Sequence, residues 1–385
     1  MKVCDLTQFY APRSGGVKRY LHEKIAFVQK HRPDDEHVLI VPGAQDTVTP
    51  GERSRIYSIA SPLVSSATGY RVLLNLRAVD EIIERERPDI IETSDPYQLG
   101  WKTLRTSALH AIPAVAFYHS HFAEAYFRAP AERFGTRAAD ALMHGARAYV
   151  RNLYNQFAAT LVASDTMRDL LEQWGVTNAR HVGLGVDIDI FHPANDRDAT
   201  RSSIGVSPNE RLLLYVGRLT GEKNTQTLFD AFEMLTQRSA GFRLLVVGDG
   251  PEQARVHELT GVTWLPYVSE PAQLATFYRA ADLFVHPGVK ETFGLAALES
   301  QACGTPVVGI RGTRMDEVIL HDQSDWADEN TAPALAAAIE RMSARTDLNG
   351  LGLSASNEVA ARYAWTQVFE RLFSIYAEVV ERYRT

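Results

Sequence analysis

The sequence predicts an α/β fold: two facing Rossmann-like domains with a deep interdomain cleft. Three observations carry this reading. At 385 residues the chain exceeds one ordinary core, and two domains of about 150 to 200 residues are expected. Short apolar runs rich in β-branched residues alternate with longer helical patterns from end to end, which marks parallel sheets covered on both faces. The series then restarts after a polar stretch, GVDIDIFHPANDRDATRSSIGVSPNER, which contains Pro193 and Pro208.

Taken in order, the first-half strands are KVCDL, HVLIVP, RIYSIA, DIIETS, AVAFYHS and ATLVAS. The second half offers RLLLYVG, FRLLVVG, VTWLPYV, DLFVHP and TPVVGI. Helical stretches lie between them, among them Val17–Lys30, Tyr70–Arg87 and Thr225–Arg238. The interdomain linker is placed near residues 186–195. In such sheets ligands bind outside the carboxyl ends of the strands, so a ligand is expected in the cleft.

Composition narrows the function. A net charge of −7 argues against a nucleic-acid partner, because phosphate neutralisation needs a cationic surface. No apolar run approaches the length of a bilayer span, and the N-terminus enters a strand rather than a signal peptide. Cys4 and Cys303 are far apart among core-like residues and read as free buried thiols in a reducing compartment. The expected location is cytoplasmic.

Gly15 and Gly16 fall between the first strand and an amphipathic helix, in FYAPRSGGVKRYLHEKI. Such glycines let backbone approach a ligand, and a helix N-terminus offers free amides to an anion; a purely structural turn is the other reading. VVGDGPE is a similar turn in the second half. No GxGxxG with a later acidic partner is present, which counts against a nicotinamide dehydrogenase.

HPGVKETFGLAALESQACGTPVVG poses a sharper question, because Glu291 and Glu299 sit among small and apolar residues. Burying a carboxylate costs several kcal/mol unless it is paired or hydrogen-bonded. A helix cap and a solvated face would account for them; so would a grip on ligand hydroxyls. LLLYVGRLTGEKN places Arg218 just past a strand and Lys223 soon after, where two loop cations are ordinarily solvated.

Together these two segments resemble the retaining nucleotide-sugar glycosyltransferases of family 4, which have the two-Rossmann GT-B architecture. Glu291 and Glu299 meet the Glu-x7-Glu spacing, and Arg218 and Lys223 the Arg-x4-Lys element. GVDIDIFHP, PRSGGVKRY and FYHSHF match further, and the C-terminal YAWTQVFERLFSIYAEVVERY looks like the final helix that crosses back in that fold. The resemblance implies an acceptor domain over residues 1–188, with 366–385 packing back on it, and a donor domain over 189–365. It implies a hexosyltransferase that moves a hexose from a UDP- or GDP-linked sugar to a hydroxyl of a glycan, glycolipid or polyol, for polysaccharide or glycolipid synthesis.

The chemistry follows from that leaving group. A departing nucleoside diphosphate gains negative charge, often met by a metal. The sequence has no convincing carboxylate cluster at ligand spacing, so Arg218 and Lys223 are expected to serve as fixed cations, with no metal and no cofactor. Amides around Gly16 and around Phe293, Gly294 and Leu295 would add donors. The resemblance implies that Glu299 takes the ribose hydroxyls and Glu291 the hexose hydroxyls. It also implies that His119 lies near the sugar C6 hydroxyl and the reaction centre. His119 and His121 would otherwise read as a structural histidine or an HxH metal pair, for which no third ligand presents itself. Retention, with front-face attack assisted by the departing phosphate, is implied by the family.

Tyr267 and Val268, in WLPYVSE, are expected to meet the nucleobase, with uracil and guanine both open. Tyr10, Lys18 and His121 are acceptor candidates. Segment 125–157 carries Arg128, Arg133, Arg137, Arg147 and Arg151 among aromatic residues, which suits an anionic membrane surface and a peripheral position at its inner face; solvated arginines are the other reading. The chain departs from the family after GIRGTRMDEVI, where LHDQSDWADENTAPALAAAI stands for a Gly-rich segment that supports the donor pocket, although Glu317 keeps a family-like position. A nucleotide-sugar 2-epimerase, a retaining phosphorylase and a non-catalytic sugar-nucleotide sensor are the competing functions. Oligomeric state is not legible.

Overall fold

The computed structural model describes all residues except 12–14, 65–68, 120–135, 239–240 and 292. It divides the chain into two compact units, Met1–Gly183 with Val368–Thr385, and Leu184–Gln367.

The first unit is built on β1 (Lys2–Leu6), β2 (Glu36–Gly43), β3 (Thr47–Pro50), β4 (Ser54–Ala60), β5 (Ile90–Thr93), β6 (Ala114–Tyr118), β7 (Ala159–Val162) and β8 (Ala179–His181). They form one eight-stranded sheet in the order β3-β4-β2-β1-β5-β6-β7-β8. Pairing is parallel except where β3 runs against β4. Its helices are α1 (Gly16–His31), α2 (Leu76–Glu86), α3 (Gln98–His110), α4 (Thr136–Tyr154) and α5 (Asp165–Gln173). Strands β3 and β8 are absent from the sequence reading for a physical reason. Every residue of TVTP is exposed on the sheet edge, and ARH is only partly buried, so neither leaves an apolar signal. The helix expected from Tyr70 starts instead at Leu76, where the Asn75 side chain accepts from the Ala78 amide at 3.3 Å. The preceding residues pair backwards, with the Val64 amide donating to Tyr70 and that of Val72 to Pro62.

The second unit carries β9 (Arg211–Val216), β10 (Phe242–Val247), β11 (Val262–Leu265), β12 (Leu283–His286) and β13 (Val307–Gly309). They make a five-stranded, all-parallel sheet in the order β11-β10-β9-β12-β13. Its helices are α6 (Arg197–Ser203), α7 (Thr225–Arg238), α8 (Gln253–Val256), α9 (Pro271–Ala280), α10 (Leu295–Ala302), α11 (Ala332–Ser343) and α12 (Leu348–Tyr363). The last helix, α13 (Trp365–Arg384), starts beside Val186 and enters the first unit from Val368 onward.

Both sheets reverse their strand order at one point, between β1 and β5 in the first unit and between β9 and β12 in the second. Ligands bind at such a switch point, just past the strands' carboxyl ends. Segment 321–331, which departs from the family pattern, still serves the second sheet. Trp326 is 1% exposed and donates its indole N–H to Val307 O at 3.0 Å, and Ala327 bridges to Ile310 in parallel.

The first unit is pinned by a buried polar cluster. Lys24 of α1 is fully buried, and its Nζ donates to Asp5 Oδ1 of β1 at 2.9 Å, to Glu92 Oε1 of β5 at 3.1 Å and to the Tyr376 hydroxyl of α13 at 2.9 Å. The Tyr20 and Tyr376 hydroxyls donate to Glu92, and His37 of β2 bonds Asp5. Burial alone would raise both carboxyls. Lys24 and His37 carry Asp5 well below the usual range instead, whereas burial keeps Glu92 up at about 7. One cation thus joins two neighbouring strands, a helix and the chain's last helix. Cys4 and Cys303 are free and buried, and among the described residues no helix is long and apolar enough to cross a membrane.

Lys24→Met leaves two buried carboxyls without their cation and is expected to cost about 3–5 kcal/mol of unfolding free energy. Urea denaturation checks this; a loss below about 1 kcal/mol would contradict the cluster's structural role.

Candidate active site

In the second unit the apolar run of β9 ends at Gly217, and the chain turns out through Arg218 and Leu219. The turn Gly221–Lys223 follows, then Asn224 in the left-handed region at φ 57°, before α7. Leu219 is fully buried, and the Tyr215 hydroxyl donates to Arg218 O at 2.9 Å, which fixes the turn's path. Across the switch point β12 ends at His286 and leads through Pro287 and Gly288 to Glu291. The Asn224 amide ties the two loops together, donating to Pro287 O and to Asn330 Oδ1, each at 2.8 Å.

This geometry brings Lys223 and Glu291 together: the ammonium donates to Glu291 Oε2, and both side chains are partly buried. His286 Nε2 lies 3.9 Å from the same oxygen. Burial pushes the His286 imidazole below its usual pKa; Glu291 opposes this and Lys223 reinforces it, so the ring is neutral near pH 7. Arg218 takes a different place. Its side chain is 64% exposed and meets Glu222 at 3.2 Å rather than joining the Lys223 pair.

Gly294 opens α10 at φ 89°, and a Cβ there would come within 1.9 Å of Met315 Sδ, so both torsion and space call for glycine. Among the described residues no side chain caps this helix, which leaves its first amides, around Leu295, at the positive end of the helix dipole. Phe293 is 3% exposed and packs edge-on to Tyr363. Glu299 is 4% exposed, and the Tyr278 hydroxyl of α9 donates to its Oε2 at 2.9 Å. The two glutamates therefore differ: Glu291 sits in a loop with two basic neighbours, Glu299 in a helix packed beside Tyr278. Tyr267 stands 60% exposed after β11, its amide donating to Asp249 Oδ2 at 3.1 Å. Val268 beside it is partly buried. Glu317 lies in the short turn Arg314–Glu317.

In the first unit, Gly15 and Gly16 are exposed at the uncapped start of α1. Tyr10 and Lys18 are close by: the Tyr10 hydroxyl bonds His22 Nε2 at 2.8 Å, and Lys18 Nζ lies 5.4 Å from the Tyr10 ring centre. His119 follows β6. Its ring stacks on Phe117 with centroids 3.9 Å apart and meets the edge of Tyr20 at 5.1 Å. Burial and the Lys24 charge push it down to about 3, against the pull of Asp5, so it is a neutral hydrogen-bonding group. His121, Arg128 and Arg133 lie outside the described residues. Arg137, Arg147 and Arg151 are exposed on α4, whose apolar side packs inward through Met143, Val150 and Leu153.

Sequence reasoning missed His286 and Asn224. A histidine closing the strand run DLFVHP is the same signal that singles out His119 in AVAFYHS. Asn224 carried no signal, because its work is to hold a left-handed turn.

Fold and site define a nucleotide-sugar-dependent hexosyltransferase built on two Rossmann-type units, and comparison with known proteins agrees. Residues 14–190 match the family described as Glycosyltransferase Family 4, and residues 196–349 match Glycosyl transferases group 1. A GDP-mannose-dependent alpha-(1-6)-phosphatidylinositol dimannoside mannosyltransferase of Mycobacterium tuberculosis is 33% identical over 90% of this chain and 89% of its own. A GDP-mannose-dependent alpha-mannosyltransferase of Corynebacterium glutamicum is 28% identical over 99% of this chain and 89% of its own. Among solved structures, sucrose-phosphate synthase from Thermosynechococcus elongatus superposes with a TM-score of 0.78 at 20% identity, covering 99% of this chain and 100% of that one. Anabaena HepE in complex with UDP and glucose gives 0.73 at 18% identity, covering 98% and 100%. The chain belongs to glycosyltransferase family 4, with the GT-B fold.

Lys223→Met removes the cation that depresses His286 and leaves Glu291 as its nearest charge. The His286 pKa is expected to rise, read from its ring proton across a pH titration by NMR; an unchanged midpoint would contradict the electrostatic coupling.

Proposed function

We propose that this chain transfers mannose, with retention of configuration and without a metal, from GDP-mannose to a hydroxyl of a glycolipid acceptor at the inner face of a membrane. The observation that carries the donor chemistry is the Lys223–Glu291 pair at the β9/β12 switch point, beside the amide end of α10. When a nucleotide sugar binds, the diphosphate takes Lys223 and hexose hydroxyls take Glu291, so each member of the pair exchanges one partner for another. Arg218, exposed beside Glu222, gives the diphosphate a second positive charge. Charge developing on the leaving phosphate is met by Lys223, Arg218 and the helix amides, which is where transition-state stabilisation is largest. His119, neutral, offers a hydrogen bond to the sugar without contributing charge. The Tyr267 ring gives the base a flat face, and Glu299 accepts from the ribose hydroxyls beside Tyr278.

Guanine and mannose are favoured by the two relatives named above, which match across nearly the full chain. The glycolipid acceptor is favoured by the mycobacterial relative, whose name specifies a phosphatidylinositol dimannoside. Exposed Arg137, Arg147 and Arg151 on α4 suit an anionic lipid surface.

GDP and GDP-mannose are expected to raise the melting temperature more than UDP or UDP-glucose in a thermal-shift panel, and mannosyl transfer is expected to persist in excess EDTA. Preference for uridine nucleotides, or activity restored only by Mg²⁺ or Mn²⁺, would overturn the corresponding part. Glu299→Ala is expected to weaken GDP-mannose binding about tenfold or more while the fold is kept; near-normal affinity by calorimetry would remove its ribose role.

A further inference from the structure

The Lys223–Glu291 pair has a third, buried neighbour. His286 closes β12 and is 8% exposed, and its Nε2 lies 3.9 Å from the same Glu291 oxygen that Lys223 holds. At that distance the ring makes no hydrogen bond to the carboxylate. It stands one step outside a contact that the ammonium already fills.

The surroundings hold the ring in place. It is tilted against Phe284 of the same strand, with centroids 6.3 Å apart. A Cβ on Gly288 would come within 3.0 Å of His286 Cε1, so the returning backbone lies against the ring. On the sheet, β13 sets Gly309 opposite His286 and brings no charge there. Strand β9 contributes Tyr215, a phenol whose pKa is raised by burial and by Glu291, and whose hydroxyl donates to Arg218 O. Helix α10 contributes Glu299, engaged by the Tyr278 hydroxyl. Glu291 from the following loop and Lys223 from the turn after β9 are the charges that act most strongly on the ring. Glu291 and the carbonyls of His286 and Gly288 favour the imidazolium, whereas burial and Lys223 oppose it. Of the two opposing influences, only Lys223 can be drawn away.

A nucleotide sugar draws it away. The diphosphate takes Lys223, and the hexose offers Glu291 hydroxyls, which carry no charge. Glu291 is then left beside an anion without its cation, and like charges in a partly buried site repel more strongly than in water. His286 is the basic group within reach of that carboxylate, and the cation that opposed its protonation has moved to the ligand.

We propose that binding of the nucleotide sugar is coupled to uptake of a proton by His286, which replaces Lys223 as the counter-charge of Glu291. This rests on the reading that the donor diphosphate takes Lys223 from Glu291. The proton comes from solvent and goes to the ring, whose Nε2 faces the carboxylate. His286 is a positioning residue in this scheme: it acts on the sugar through Glu291, keeping that side chain compensated while its oxygens receive the hexose hydroxyls. The sign follows from the direction of the change. The ring holds its proton more tightly in the complex than in the free chain, so protonation favours the complex. The gain in affinity is complete below the free chain's value, which burial places under the usual histidine range, and is lost as pH rises to the complex's value. Above that the ring is neutral in both states and the dependence ends.

Calorimetry of GDP-mannose binding to the full-length chain, in buffers of different ionisation enthalpy, counts the protons taken up. GDP-mannose is the probe because its esterified diphosphate, unlike that of GDP, exchanges no proton of its own near neutral pH. Wild type is expected to take up about half a proton or more near pH 7, and His286→Asn almost none. The wild-type dissociation constant is expected to rise by about three- to tenfold per pH unit across the neutral range, and that of His286→Asn to stay nearly flat. In NMR the His286 ring proton, assigned by its absence from the variant, is expected to titrate at a higher midpoint when GDP-mannose is bound. A merely structural histidine would alter affinity equally at every pH and exchange no proton. No uptake by wild type, or equal uptake by wild type and His286→Asn, would overturn the coupling. Should His286→Asn fail to fold, His286→Gln takes its place in every readout. If GDP-mannose did not bind, the donor reading would fall, and the ring titration would be repeated with inorganic pyrophosphate, which can engage Lys223 without base or sugar. An unmoved midpoint there would overturn the proton step as well.

Discussion

The interaction on which most of the first unit depends is the burial of one ammonium group. Lys24 has no access to water, so its charge must be compensated inside the protein, and the compensation comes from Asp5, Glu92 and Tyr376 at once. These three residues sit on β1, β5 and α13. Removing one partner leaves the others as uncompensated buried polar groups, which is far costlier than the network's net contribution. β1 and β5 run on into the loops that carry Gln8 and Asp95. The carboxyl end of these strands is thus held by charge compensation a few residues below it. His119 feels the same ammonium, which helps to keep its ring neutral.

The second unit solves its electrostatics differently. Lys223 and Glu291 neutralise each other at a partly buried loop junction, and Asn224 and Asn330 hold the backbone that carries them. This pair is more open than the Lys24 cluster, so water can replace either partner at modest cost. An arrangement of that kind suits a binding site, where partners must be exchanged, and would serve poorly as a structural pin. Glu299 stands between the two cases, deeply buried yet held by the hydroxyl of Tyr278.

The parallel sheets were legible because buried strands must be continuously apolar, and runs such as RLLLYV and FRLLVV match their observed strands closely. Edge strands were not legible, since the four residues Thr47–Pro50 face solvent and need no pattern. A helix start is legible where its capping residue is read, as Asn75 before Leu76 shows. For the candidate site, Lys223 and Glu291 were found from spacing and from resemblance, and the structure brings them into contact. The position of Arg218 against Glu222, and the hydroxyl partner of Glu299, are tertiary facts that no spacing encodes.

Residues 368–385 complete the first unit, although the whole of the second precedes them in the chain. Synthesis in sequence order therefore delivers the second core first, while the first sheet still lacks Tyr376 and the aromatic face of Phe369 and Phe373. Until that helix emerges, a nascent chain presents an unfinished apolar surface and an ammonium short of one hydroxyl. Completion of the earlier-made unit thus waits on a segment made after the second unit.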